Sequence, residues 1–282
     1  MASAYKIYKT SEGILIDDAQ RQYLLTDMSW DAFINRGQLY QEISEAVQSL
    51  APTERAQELL QNSLLPPIGQ QEVWGSGVTY YRSRSARMEE SKDAGGGDFY
   101  DRVYAAERPE LFFKATPGRV VGSGGKVRIR KDSTWDVPEP ELTLFITARG
   151  KIVGYTIGND MSSRSIEGEN PLYLPQAKSY DGSTSIGPCL YVPETPLPPD
   201  TQISLEIKRD GKPMFQESIP ISQMKRTHEE LVGFLFRECT FEAGCFLMTG
   251  TGIIPENDFT LQHGDEINIS IDHIGMLVNY VE

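Results

Sequence analysis

The sequence predicts an α+β protein rich in strands, with a small N-terminal α/β unit ahead of a larger β domain of sandwich or barrel-like form. Three observations predict it. Short apolar segments bounded by turn residues recur from Val73 to Tyr280. Helix-period stretches are few, and two of the clearest fall before residue 65. No regular β-α-β alternation occurs, which argues against a doubly wound nucleotide-binding fold.

In chain order, residues 5–8 and 13–16 read as short strands. Residues 30–50 and 53–60 read as helices, with Pro52 at the break and Thr53 as N-cap. The turn-rich L-L-P-P-I-G at 64–69 marks a boundary, so 1–68 is expected as the small domain and 69–282 as the main one. Residues 73–80, V-W-G-S-G-V-T-Y, read as a strand whose glycines permit close approach. A lone G-x-G without a P-loop gives no nucleotide site. Residues 83–107 are polar and helix-prone but broken by Gly95-Gly96-Gly97, which suits either a hinged lid or a surface loop. Residues 111–113 read as buried. The charges at their ends, Glu110 and Lys114, are either solvated or aimed into a cleft.

The most informative stretch runs from Trp135 to Asp160. Residues 142–147 and 152–157 read as two strands, and 148–151 as the tight turn of a hairpin. Glu139 and Glu141 lie two apart in extended chain, so they share a face. The hairpin returns Asp160 to them. Three converging carboxylates call for a positive charge, and a hard divalent cation with oxygen ligands, Mg²⁺ above all, suits them. The plainer reading is an edge strand with solvated acids, which Pro140 would fit.

Beyond the hairpin, 170–181 reads as an irregular loop carrying Lys178, closed by residues 185–188. Residues 203–208 and 213–216 form a second hairpin about an Asp210-Gly211 turn. Residues 229–239 read as an amphipathic helix with Leu231, Phe234 and Leu235 in the core. Residues 246–252 read as a strand opening into a glycine-bearing turn whose N–H groups suit an anion. Strands at 267–271 and 276–280 close the sheet.

Composition excludes several classes. The formal charge is −13, against a nucleic-acid partner. No apolar run reaches membrane-span length and no signal-peptide core is present, so a cytoplasmic protein is expected. Cys189, Cys239 and Cys245 are scattered and odd in number, as in a reducing compartment. His228, His263 and His273 have neither metal nor triad spacing and read as structural.

Five ordered segments carry a family resemblance: P-E-P-E-L at 138–142, G-N-D-M-S-S-R at 158–164, K-S-Y-D at 178–181, G-P at 187–188 and T-G-T at 249–251. Together they resemble the fumarylacetoacetate hydrolase superfamily over residues 70–282. The segments E-V-W-G-S-G at 72–77, R-P-E at 108–110, F-F-K-A-T-P at 112–117 and E-N-P-L-Y-L-P-Q at 169–176 look like its sugar-acid dehydratase branch. The resemblance implies a mixed β-sandwich roll and a homodimer or homotetramer. It implies Mg²⁺ held by Glu139, Glu141 and Asp160, with Mn²⁺ or Ca²⁺ as substitutes. Glu110 and Lys178 are implied as catalytic, and Ser76, Arg164 and Thr251 as substrate contacts. The substrate class is a small anionic 2-keto acid.

Two departures stand out. Hydrolytic members carry a histidine soon after the segment matching 77–80, and here no histidine precedes His228. Ser165 stands where many members have an acid. The missing histidine puts C–C hydrolysis in doubt; the resemblance to the dehydratase branch implies dehydration of a 2-keto-3-deoxy sugar acid, with 2-keto-3-deoxy-D-arabinonate giving 2,5-dioxopentanoate as the expected case. A metal-polarised keto group acidifies the C3 protons, and the enolate left by removing one expels a C4 hydroxyl. That needs a base and an acid. Lys178 with a lowered pKa and Glu110 with a raised one fit those roles, in either order. The alternatives are a C–C hydrolase or decarboxylase of acylpyruvates, and an inactive binding protein of the same fold.

Overall fold

In the computed structural model, which describes residues 3–82 and 102–282, the acidic hairpin is the centre of the largest sheet. Its strands are Pro140–Ile146 and Ile152–Asp160. The turn closes with Thr147 N–H on the Lys151 carbonyl at 2.9 Å. Every residue of Pro140–Ile146 is buried. This corrects the edge-strand reading: Cys245–Met248 flanks the strand on its other side. Pro140 is tolerated because it opens the strand, where its missing N–H breaks little of the ladder.

Among the described residues the main sheet has ten strands. From one edge it runs Gln22–Leu25, Gly13–Asp17, Ala4–Thr10, Thr184–Pro193, then the hairpin, Cys245–Met248, Glu72–Gly77 and Glu110–Ala115, with Val120–Val121 beside Thr184–Pro193. A five-stranded sheet packs against it in the order Lys212–Pro220, Gln202–Arg209, Glu266–Ile271, Gly275–Val281, Lys126–Val127. The core lies between the two, where Leu142, Leu144 and Ile157 share one cluster with Leu205, Ile267 and Leu277. Each such side chain contributes about 1.5–3 kcal/mol. Both sheets are open, so the sandwich alternative holds and no barrel closes among the described residues. Alternation turns the opposite face of the hairpin, with Glu139, Glu141 and Asp160, away from this core.

The N-terminal strands extend the same sheet, through Ala4–Thr10 on Thr184–Pro193. A second core joins Tyr5, Ile7, Phe33 and Ile43 to Phe145, Ile186 and Phe246. Residues 1–68 thus pack against the rest of the chain through a shared sheet and core. The helical stretch 30–50 is two helices, Trp30–Ile34 and Leu39–Ala46. The interruption holds the acidic hairpin: Asn35 Oδ1 accepts the Ala148 N–H at 2.8 Å, and Lys151 Nζ donates to Gly37 O at 2.5 Å. The third helix, Ala56–Asn62, starts after Arg55 rather than at a Thr53 cap, though Thr53 Oγ1 accepts the Arg55 N–H at 3.2 Å.

Other expectations differ in detail. Residues 170–178 are not irregular. Asn170 caps a short 3₁₀ turn, Pro171–Tyr173, that runs into the helix Leu174–Lys178. Residues 185–188 do not end a loop; they belong to Thr184–Pro193. Residues 111–113 are half-buried, and full burial falls on Lys114 and Ala115. Asp210 and Gly211 both take positive φ (52° and 73°), as a tight hairpin turn of that type requires. The helix His228–Leu235 is capped by Thr227 and buries Leu231, Val232 and Leu235, with Phe234 half-buried. The lid-or-loop expectation for 83–107 falls mostly outside the described residues.

Candidate active site

Strand pairing builds the site. The hairpin sets Gly158 opposite Glu141, and at its open end Glu139 and Asp160 exchange backbone hydrogen bonds of 3.2 and 3.0 Å. Glu139, Glu141 and Asp160 each offer an oxygen within 4.8 Å of the others, and all three are buried. Carboxylates that close together, out of water, need positive charge among them.

Three cations reach them. Lys178 Nζ lies 2.5 Å from Glu139 Oε2, 3.0 Å from Asp160 Oδ2 and 2.5 Å from Ser162 Oγ. Arg164 Nη2 donates to Glu139 Oε1 at 2.6 Å. Lys114 Nζ lies 2.5 Å from Asp160 Oδ1 and donates to the carbonyls of Met161, at 3.1 Å, and Lys178. A fourth buried carboxylate, Glu167, stands 3.5 Å from Lys178 and 3.8 Å from Arg164. Glu141 is held by backbone, its Oε2 accepting the Gly250 N–H at 2.5 Å. Burial, with Asp160 and Glu139 beside it, pushes the Glu141 carboxyl well above the usual carboxylate range. Burial also lowers the Lys114 ammonium, against the opposing pull of Asp160.

The facing wall comes from Glu72–Gly77 and Glu110–Ala115. Glu110, Phe112 and Lys114 alternate onto one face of their strand. Opposite them lie Gly77, paired with Glu110, and Gly75, paired with Phe112. A Cβ on Gly77 would stand 2.1 Å from the Glu110 carboxylate, and one on Gly75 2.4 Å from the Phe112 ring. The two glycines are the space these side chains occupy. One Glu110 oxygen is shut off from solvent. The Phe112 ring centre lies 5.7 Å from Lys178 Nζ. Between the walls is a narrow cleft, also lined by Ser76, Arg164 and Thr251.

Residues 78–282 match the model of the fumarylacetoacetate (FAA) hydrolase C-terminal family. The chain belongs to the fumarylacetoacetate hydrolase family. It is similar to a probable 2-keto-3-deoxyxylonate dehydratase of Haloferax volcanii, 50% identical over 216 residues, which are 76% of this chain and 73% of that one. To 2-dehydro-3-deoxy-D-arabinonate dehydratase of Saccharolobus solfataricus it is 43% identical over 218 residues, 77% and 73% of the two chains. A solved structure of 2-keto-3-deoxy-D-arabinonate dehydratase complexed with magnesium and 2,5-dioxopentanoate superposes with a TM-score of 0.81 at 34% identity, covering 99% of this chain and 98% of that one.

In this family member the cleft lining gathers Glu139, Glu141, Asp160, Lys178, Ser76, Arg164 and Thr251; Glu110 is not itself in the lining but stands against Gly77, which is. The Ser76 hydroxyl is buried there and has no protein partner among the described residues. Thr251 Oγ1 donates to Ile253 O at 3.2 Å and accepts the Ile253 N–H at 3.2 Å. Sequence reasoning missed Ser162 and Glu167 and left Lys114 open between solvent and a cleft; it is buried against Asp160. Same-face alternation from Glu110 would have pointed to Lys114. Ser165 lies 2.9 Å from Ser133 Oγ and accepts the Thr134 N–H at 3.2 Å, so it braces a turn. His228 packs on Tyr155 and His273 stacks on Tyr191, and no histidine is in the cleft lining.

The donor set fits a hard dication. It is all oxygen, buried and convergent. Counted as formal charges, four carboxylates (Glu139, Glu141, Asp160, Glu167) against three basic side chains (Lys114, Arg164, Lys178) leave one negative charge in excess.

Proposed function

We propose that the protein is a Mg²⁺-dependent hydro-lyase that dehydrates a 2-keto-3-deoxy sugar acid, with 2-keto-3-deoxy-D-arabinonate going to 2,5-dioxopentanoate. The observation that carries this is the buried three-carboxylate cluster with a lysine inside it, a glutamate across the cleft and no histidine in the lining. The two relatives' substrates agree. With C2 a ketone and C3 a methylene, C4 is the one stereocentre left in a pentonate. The D-arabinonate and D-xylonate derivatives are then the same molecule.

Glu139, Glu141 and Asp160 would hold Mg²⁺, and the chemistry it supplies when bound is polarisation of the 2-keto group, which acidifies C3–H. Lys178 approaches from the carboxylate wall and takes the C3 proton. Glu110, from the glycine wall, protonates the departing C4 hydroxyl, which leaves as water. A proton then moves from C5 to C3, and the resulting enol ketonises to the C5 aldehyde. Arg164 fixes Glu139 through its 2.6 Å contact. The Ser76 hydroxyl and the Thr251 turn contact the substrate. We place this catalytic part in residues 69–282, with 1–68 as the appended unit.

The test is mass spectrometry of 2-keto-3-deoxy-D-arabinonate incubated with the protein, with Mg²⁺ and with chelator. Mg²⁺-dependent loss of one water is expected. Glu110→Gln and Lys178→Met should each lower turnover by about 10²–10⁴-fold and leave Mg²⁺ binding intact. Unchanged substrate, with cleavage of acylpyruvates instead, would return the C–C hydrolase or decarboxylase reading. Silence on both would favour a binding protein. We further propose a cytoplasmic homodimer or homotetramer, in keeping with three free cysteines. Light scattering would give the oligomeric state. Among the described residues no helix is long and apolar enough to cross a membrane.

A further inference from the structure

The chain leading into Glu110 is held from outside the cleft by one arginine. Arg226 lies just ahead of the His228–Leu235 helix and is 5% exposed. Its guanidinium donates to the carbonyls of Val103 at 3.2 Å, Ala106 at 2.7 Å and Glu107 at 2.9 Å. Residues 102–105 are helical, so these are carbonyls that a helix leaves unpaired at its C-terminal end. That end also favours a cation electrostatically. Glu230 pairs with Arg226 from the first turn of the following helix and orients the planar fork. Lys225, next to it, donates to the Tyr104 carbonyl, with its Nζ 4.3 Å from the Tyr104 ring centre. The Lys225 N–H donates to Thr79 O at 2.9 Å. One short segment thus grips residues 103–107 and also the chain just past Gly77.

From Glu107 to Glu110 the path is short and stiff. Arg108 lies over Phe234, its guanidinium carbon 5.5 Å from the ring centre. Pro109 has a fixed φ. At Glu110 the chain enters the sheet opposite Gly77, where the carboxylate has no slack.

We propose that Arg226 is a positioning residue for Glu110: by fixing the carbonyls of Val103, Ala106 and Glu107 it sets where the Glu110 carboxylate stands in the cleft. This rests on the reading of Glu110 as the acid. Arg226 is not in the cleft lining, so its effect on turnover passes through the chain.

The experiment compares Arg226→Ala, Arg226→Lys, Glu110→Gln and the Arg226→Ala/Glu110→Gln double variant for kcat, KM, Mg²⁺ affinity and melting. Displacing an acid by about 1 Å lowers kcat by on the order of 10–100-fold, the loss expected for Arg226→Ala. KM and Mg²⁺ affinity should stay within about twofold, since neither the ligand set nor the binding walls change. Lysine should recover part of the rate, because one ammonium cannot serve three carbonyls as the fork does. The double variant should be no slower than Glu110→Gln alone, the mark of two changes acting through one group. A folded Arg226→Ala with normal kcat, or losses that multiply in the double variant, would overturn the proposal. If Arg226→Ala fails to fold, Arg226→Lys and Glu230→Gln carry the same cycle with Glu110→Gln. Glu110→Gln turning over normally would instead sink the reading of Glu110 itself, a distinct outcome.

Discussion

Replacing Lys114 with methionine should destabilise the metal-free protein severely while leaving it able to bind Mg²⁺. Lys114 is fully buried, and its ammonium meets three acceptors: the Asp160 carboxylate at 2.5 Å and the carbonyls of Met161 and Lys178. Methionine keeps the length of the side chain, so the loss is of charge and donors rather than of packing. Removing one partner of a buried ion pair costs about 3–5 kcal/mol, because the other charge stays behind. In a chain of this size each kcal/mol moves the melting temperature by about 2–4 °C, so a fall of roughly 6–20 °C follows. The excess charge of the cluster rises from one negative to two, which makes a dication more welcome. Calorimetric melting of both proteins in chelator and at one fixed Mg²⁺ concentration measures this. The variant should recover at least as many degrees on adding Mg²⁺ as the parent does. A variant that melts within about 2 °C of the parent in chelator would refute the reasoning, since Lys114 would then not be neutralising Asp160.

The remaining expectations are more local. Gly77→Ala should lower kcat with little change in Mg²⁺ affinity, because its Cβ would fall 2.1 Å from the Glu110 carboxylate and displace it; steady-state kinetics beside titration calorimetry checks both halves. Mg²⁺ affinity should weaken as pH falls. The raised Glu141 pKa means that the metal-free site holds a proton there at low pH, which the metal must expel. Calorimetry in two buffers of different ionisation enthalpy would detect that release, and its absence would contradict the shift. A 2-keto dicarboxylate should compete for the site far more weakly than a 2-keto monocarboxylate, as inhibition constants would show.

How much of this was legible beforehand follows from the distance each rule reaches. Glu139 and Glu141 on one face need only strand alternation, and the return of Asp160 needs only the turn at 148–151. Both are local, and the pairing of Gly158 with Glu141 bears them out. Lys114 was left open between solvent and a cleft because its partner Asp160 lies 46 positions on, across strands whose order no local pattern states. Pro140 suggested an edge for the same reason: the strand that covers it, Cys245–Met248, comes a hundred residues later. Local punctuation also misled in the other direction. Gly187-Pro188 read as a stop, yet Thr184–Pro193 continues past it, taking up the two residues as an irregularity in its pairing with Ile152–Asp160. Asn170 and the two prolines after it read as loop, yet a cap and prolines in the first turns are also what start short helices.

The charge count joins the fold to the choice of substrate. Counted as formal charges, the buried cluster carries one negative charge in excess. A bound dication turns that into one positive, and the carboxylate of a 2-keto sugar acid then brings the sum to zero. In its proposed role as the acid, Glu110 enters the reaction neutral and does not change this count. Deprotonating Lys178 lowers the sum by one for every substrate alike. An acylpyruvate with a second carboxylate is therefore always one buried negative charge worse than a sugar acid, whatever the state of the lysine. Hydroxyls at C4 and C5 add hydrogen-bonding groups without charge, and the buried Ser76 hydroxyl in the lining suits such groups. The same formal charges thus favour a singly charged, hydroxyl-bearing 2-keto acid over doubly charged substrates, whose hydrolysis would call for a histidine that the lining, among the described residues, does not hold.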